Sequence, residues 1–118
     1  MTDTTTHHVK EYIIDTFGCK QDLANPIIAK ESINILKKAA ESAGAKVIDI
    51  HCTTYTIHGF TTVALLAESH IILTTWPELN YASINIYLCN PHMDHNIVLD
   101  NIFNYLQPTN LLLVIFKR

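Results

Sequence analysis

Apolar and polar positions recur along this chain with periods that change from segment to segment, and the changes mark out the elements. Val9 to Phe17 mixes Tyr12, Ile13, Ile14 and Phe17 with single charges, the pattern of a strand covered on one side. Gly18 to Asn25 reads as a turn, and Pro26 suits the first turn of a helix, where its missing N–H costs nothing. Ala29, Ile33, Leu36, Ala40 and Ala43 then fall at helical spacing, with Lys37, Lys38 and Glu41 between them, and Gly44 closes the helix. Lys46 to Ile50 predicts a second strand. His51 to Thr62 is polar and β-branched and predicts loop rather than strand. Val63 to Ala67 and His70 to Thr75 are apolar runs of strand length; Trp76-Pro77 stops the second, because proline has no N–H for the ladder. Tyr81 to Cys89 alternates, with Ile84, Ile86 and Leu88 on one face and Ser83, Asn85, Tyr87 and Cys89 on the other. Pro91 opens a second helix with the stripe Val98, Leu99, Ile102, Phe103 and Leu106. Gln107 to Asn110 turns the chain, and Leu111 to Phe116 is a last strand.

The order β-α-β-β-β-β-α-β, with strands that pair locally, predicts an α+β two-layer sandwich: a mainly antiparallel sheet with two helices on one face. The 118 residues fit one domain over 9–118 behind a polar, Thr-rich tail at 1–8. A domain this small leaves a sheet face or edge poorly covered, which points to a homodimer.

Composition narrows the partners. Hydrophobic residues make up 48% of the chain, enough for a packed core. A net charge of −3 with only eight Lys and Arg argues against nucleic acid or an anionic membrane, both of which need a basic face. The three cysteines form no evident framework and suit a reducing cytosol. The N-terminal residues have no basic and apolar succession of the kind a secretory signal needs, and no apolar run approaches membrane-spanning length, so a cytoplasmic protein is expected.

The candidate chemistry lies between two apolar runs. Glu68, Ser69 and His70 are three successive polar residues, followed by Thr75-Trp76-Pro77-Glu78, Tyr81-Ala82 and Cys89. Taken singly these describe an exposed turn, a loop with a packed indole and a small, readily buried cysteine. Taken together, Ala67-Glu68-Ser69-His70, Thr75-Trp76-Pro77-Glu78, Tyr81-Ala82 and Cys89 resemble the signature A-E-S-H-x-x-x-H-T-W-P-E of the prokaryotic S-adenosylmethionine decarboxylase proenzymes, and Ala39-Ala40-Glu41-Ser42-Ala43-Gly44-Ala45 resembles the end of that family's first helix. The resemblance covers nearly the whole chain beyond the tail.

What it implies is a self-cleaving, pyruvoyl-dependent decarboxylase of polyamine (spermidine) synthesis. The Ser69 hydroxyl would attack the Glu68 carbonyl to give an ester. Elimination would leave dehydroalanine at position 69, and hydrolysis would convert that to a pyruvoyl group and ammonia. The ketone would then form a Schiff base with the substrate amine and serve as electron sink when carbon dioxide leaves. The resemblance further implies that Cys89 donates the proton to the product carbon. It places Tyr55 as the aromatic beside the substrate's adenine. Asp15 matches a carboxylate that could meet the substrate's positive charge, or is a solvated strand residue. Cys19 also matches a position that is often cysteine, and receives no role. Partners implied are a small-molecule substrate and a second copy of the processed chain.

Two positions depart from the pattern. Thr74 stands where the family has a histidine that assists self-processing and flanks the adenine, and threonine is no base near neutral pH. Thr61 stands where the family has a processing serine, one hydroxyl for another. Three outcomes follow. Another imidazole, His58 or His70, replaces the base; or the pocket has shifted to arginine or ornithine; or the chain is an uncleaved, regulatory relative. Other constellations are weaker. His51, Cys52 and His58, or His92 and His95, lack a firm zinc spacing, so no metal is expected, and His92 and His95 read as solvated residues near a helix start. Ser69 and His70 make no hydrolase pair, since neighbours on a strand point to opposite faces.

Overall fold

The computed structural model describes residues 9–55 and 59–118. It contains β1 (Lys10–Phe17), α1 (Pro26–Ser42), β2 (Val47–Thr54), β3 (Phe60–Leu66), β4 (Ser69–Trp76), a 3₁₀ turn over Pro77–Leu79, β5 (Tyr81–Leu88), α2 (His95–Leu106) and β6 (Asn110–Lys117). The six strands form one sheet in the order β2-β3-β4-β5-β1-β6, every neighbouring pair antiparallel. The α+β sandwich and its element order are those the residue pattern predicts.

Period-two alternation decides which face is covered. Tyr12, Ile14 and Thr16 of β1, Phe60, Thr62, Ala64 and Leu66 of β3, Ile71, Leu73 and Thr75 of β4, and Ala82, Ile84, Ile86 and Leu88 of β5 are all buried and share one face. They form one core with Leu36, Ala39 and Ala40 of α1 and Val98, Ile102 and Leu106 of α2. The other face carries Glu11, Ile13, Asp15, Thr61, Thr74 and Trp76 among its residues, and neither helix covers it.

Both helix starts are capped by a side chain. Asn25 accepts the Ile27 N–H at 2.9 Å ahead of Pro26. Asp94 accepts the N–H groups of Asn96 and Ile97, so α2 begins at His95, four residues after the expected Pro91; residues 91–94 are held as a turn instead. On α1 the buried stripe includes Ser32 rather than Ile33. The Ser32 hydroxyl donates to the Ala29 carbonyl at 2.6 Å and accepts from Thr62 at 2.5 Å, which makes a hydroxyl affordable in the core. The expected loop from His51 to Thr62 is corrected: His51–Thr54 lie in β2 and Phe60–Thr62 in β3, paired through Cys52 with Thr62 and Thr54 with Phe60. Their β-branched side chains fit a pleated surface, and long-range pairing outweighs their polarity. Gly59 has φ +86°, and a Cβ there would meet the Thr75 carbonyl oxygen at 2.4 Å.

Candidate active site

The β3–β4 hairpin turns at Ala67-Glu68, and Glu68 turns it with φ +65°, a left-handed conformation that costs a non-glycine residue roughly 1 kcal/mol or more. Ser69 begins β4 on the helix side and is 6% exposed. Cys89, immediately after β5, stands beside the turn. Its N–H donates to Ser69 Oγ at 3.1 Å, and its thiol donates to the Glu68 carbonyl at 2.8 Å. Cys89 thus touches both the expected nucleophile and the oxygen of the carbonyl it would attack. A cavity of about 360 Å³ opens here, lined in part by Gly44, Lys46, Glu68, Cys89, Asn90 and Met93.

The remaining expected residues lie elsewhere. The register places Thr53, Thr61, Thr74, Ser83 and Asp15 on one transverse row of the uncovered face. Thr61 Oγ1 donates to Thr74 Oγ1 at 3.1 Å, and the Tyr55 hydroxyl meets Thr61 Oγ1 at 2.5 Å. Asp15 accepts from the Tyr81 hydroxyl at 2.5 Å, so it is a partnered residue and not merely a solvated one. Burial first and the Asp15 carboxylate second push the Tyr81 phenol up, which keeps its proton available to Asp15. Tyr81 stacks between Phe17 and Trp76, with centroids 5.4 and 5.1 Å apart, and a pocket of about 410 Å³ is lined by Asp15, Phe17, Leu79 and Tyr81. An anionic oxygen beside aromatic faces suits a cation.

Ser69 and Thr74 are five residues apart on one strand, about 17 Å at the rise of a β-strand. They also point to opposite faces. Within one chain the Glu68-Ser69 turn and the threonine row do not meet.

Among the imidazoles, His58 lies outside the described residues. His70 points away from Ser69, onto the uncovered face, where Nε2 contacts Asn85 Oδ1 at 2.8 Å, and Asn85 in turn donates to Glu11 at 2.9 Å. The Asn85 bond first, and Arg118 beside it, hold the Glu11 carboxyl below its usual range. This network of three strands and the residue after β6 was not legible beforehand: parity gave the face of each residue, but not which strands are neighbours. His92 is exposed as expected. His95 is not solvated; it is partly buried against Tyr12. Among the described residues no cluster of three His, Cys, Asp or Glu could hold a metal ion, and no helix is long and apolar enough to cross a membrane. All three cysteines are free.

The antiparallel sheet with two helices on one face, and a Glu-Ser turn gripped by a cysteine, agree with the class of decarboxylase proenzymes that the following comparisons define. Residues 10–118 match the family model described as S-adenosylmethionine decarboxylase. The chain is 34% identical over 113 residues to the S-adenosylmethionine decarboxylase proenzyme of Methanococcus aeolicus, covering 95% of this chain and 94% of the relative. It is 34% identical over 97 residues to that of Brevibacillus brevis, covering 80% and 70%. The crystal structure of the adenosylmethionine decarboxylase from Aquifex aeolicus superposes with a TM-score of 0.80 at 26% identity, covering 95% of this chain and 91% of that one. The chain belongs to the S-adenosylmethionine decarboxylase family.

Proposed function

We propose that this chain cleaves itself between Glu68 and Ser69 and then decarboxylates S-adenosylmethionine for polyamine synthesis. The observation that carries the reading is the double contact of Cys89 with Ser69 Oγ and the Glu68 carbonyl. When Oγ adds to the Glu68 carbonyl carbon, negative charge grows on the oxygen that already faces a thiol donor, and a preplaced donor stabilises that charge without reorganisation. Glu68 starts from a strained left-handed conformation, which the break at this bond relieves.

The pyruvoyl group expected at position 69 fits its surroundings, since Glu68 before it and Cys89 against it both line a cavity, and it would supply an electron sink for the pair left when carbon dioxide departs. Cys89 lines that cavity and would hold the proton for the product carbon. Asp15, beside Phe17 and Tyr81, would receive the sulfonium charge of the substrate, and Tyr55 the adenine.

Ser69 with Cys89, and Thr61 with Thr74, occupy opposite ends and opposite faces, so a complete site takes two chains. A second copy laid on the uncovered face would cover Ile13, Phe17, Leu65, Leu112, Val114 and Phe116, which are 40% to 63% exposed in one chain. Three free cysteines suit work in a reducing cytoplasm.

The test is an intact-mass spectrum followed by release of carbon dioxide from S-adenosylmethionine, arginine and ornithine in parallel. Two fragments split at Glu68–Ser69, the second with a pyruvoyl start, and turnover of S-adenosylmethionine above the two basic amino acids are expected. A single uncleaved mass of 13.3 kDa would overturn the reading in favour of an uncleaved relative, and turnover of arginine or ornithine alone would overturn the substrate.

A further inference from the structure

Cys89 is followed by a turn that few contacts fasten. Asn90 Oδ1 accepts the His92 N–H at 2.8 Å, the buried Met93 donates its N–H to the Asn90 carbonyl at 3.2 Å, and the Asp94 N–H reaches the Ala43 carbonyl beyond α1 at 3.2 Å. His95, the first residue of α2, then turns back onto the sheet. Its Nδ1 hydrogen-bonds the Tyr12 hydroxyl of β1, and the two rings meet edge to face with centroids 5.5 Å apart and planes at 73°. Among the described residues this is the only side-chain hydrogen bond between α2 and the sheet. Tyr12 is 5% exposed, so its hydroxyl has little access to water should His95 be lost.

The charged groups facing the imidazole are Lys10 from β1 and Asp94 from the helix cap, and the Asn90 backbone faces it as well. Burial first, then Lys10, holds His95 below its ordinary value against the opposing pull of the Asn90 backbone and Asp94. With the ring held toward its neutral form, Nδ1 is free to accept the hydrogen bond of the Tyr12 hydroxyl.

The function proposed above needs Cys89 held on two atoms at once, at 3.1 and 2.8 Å, and a displacement of about 1 Å would break both hydrogen bonds. We propose that His95, anchored by Tyr12, is a positioning residue that sets Cys89 against Ser69 and Glu68; this rests on the reading of Cys89 as the group that serves both cleavage and protonation. Neither His95 nor Tyr12 touches a reacting atom. They act by closing the turn 90–94 onto the sheet, so that the residue before the turn has one position rather than several.

The experiment compares the full chain with His95→Ala, His95→Asn, Tyr12→Phe and Cys89→Ala, each checked to be folded with an unchanged oligomer at the assay temperature. Cleavage is followed by intact mass, kcat and KM are measured on cleaved material, and iodoacetamide labelling of Cys89 is followed by peptide mass with Cys52 as internal reference. In His95→Ala and Tyr12→Phe, the rate of self-cleavage is expected to fall about tenfold or more, because both hydrogen bonds of Cys89 are to the uncleaved Glu68-Ser69 pair and misplacement of a reacting group acts on the chemical step. His95→Asn keeps an acceptor near the position of Nδ1 and is expected to recover most of the loss. The Cys89 labelling rate should change in His95→Ala while that of Cys52 does not, a readout that needs no turnover. An unchanged labelling rate with a wild-type rate of self-cleavage, or a His95→Asn variant as impaired as His95→Ala, would overturn the inference. Full activity in Cys89→Ala would instead overturn the reading of Cys89, whatever the His95 variants do.

Discussion

The Cys89 N–H donates to Ser69 Oγ at 3.1 Å, so the residue after β5 fixes the side chain that opens β4. The same residue's thiol points at the Glu68 carbonyl. Replacing Cys89 by Ala removes that donor and leaves the backbone bond. Self-cleavage should slow by about a hundredfold, the usual cost of one oxyanion donor, while Cys89→Ser, which keeps an O–H, should lose less. The rate of appearance of the two fragments by intact mass decides. A Cys89→Ala chain that cleaves at the wild-type rate would remove the thiol from the processing step.

Glu68 stores backbone strain beside the bond at which cleavage is proposed. In a Ser69→Ala background, where no cleavage confuses the measurement, Glu68→Gly should be more stable by about 1 kcal/mol, because glycine adopts φ +65° without a Cβ clash. Urea unfolding checks this, with the midpoint rising and the slope unchanged. A midpoint that falls would mean that contacts of the Glu68 side chain outweigh its strain.

The separation of Ser69 from Thr74 calls for a mixing test. A Ser69→Ala chain keeps its threonine row, and a Thr61→Val/Thr74→Val chain keeps its serine. Each alone should be inactive or strongly impaired. Co-expressed, they should regain about a quarter of wild-type activity, since half of randomly paired two-fold dimers are mixed and each mixed dimer has one intact site. Activity no greater than the sum of the parents would show that each chain works by itself.

His95 makes stability depend on pH. Its folded value lies below the ordinary 6.5, so between the two values the unfolded chain binds more protons than the folded one. The stabilisation is complete above about pH 6.5 and is lost as pH falls through the folded value. The melting temperature should therefore drop on acidification in that window, and His95→Asn should flatten this part of the curve. Equal acid slopes in the two proteins would remove His95 as the cause.

Tyr105 joins the two helices. It is 5% exposed and donates to the Ile28 carbonyl at 2.5 Å, and burial, its largest cause, pushes its phenol far up, so the proton stays on. Tyr105→Phe leaves that carbonyl without its side-chain partner and should cost about 1–3 kcal/mol in denaturant unfolding.

By itself the sequence determined the elements and their order, because period-two alternation in β5 and 3.6-residue spacing in α1 and α2 are local properties that packing then uses. It also carried the family resemblance, since Ala67-Glu68-Ser69-His70 and Thr75-Trp76-Pro77-Glu78 lie close together and their motif is long. It missed the strand at His51–Thr54, where long-range pairing with β3 overrode a polar, loop-like composition. It placed the start of α2 at Pro91, whereas the Asp94 cap sets it at His95. Only the tertiary structure decided which residues share a site. Strand order is non-local: β1 enters between β5 and β6, and that alone brings Asp15 to Tyr81, sixty-six residues away, and Glu11 to Asn85. Parity separates Ser69 from Thr74 onto opposite faces, and the rise along β4 separates them by length. The motif read as one string is therefore two separate groups of residues in space, because a strand carries neighbouring side chains to opposite faces and cannot fold back on itself.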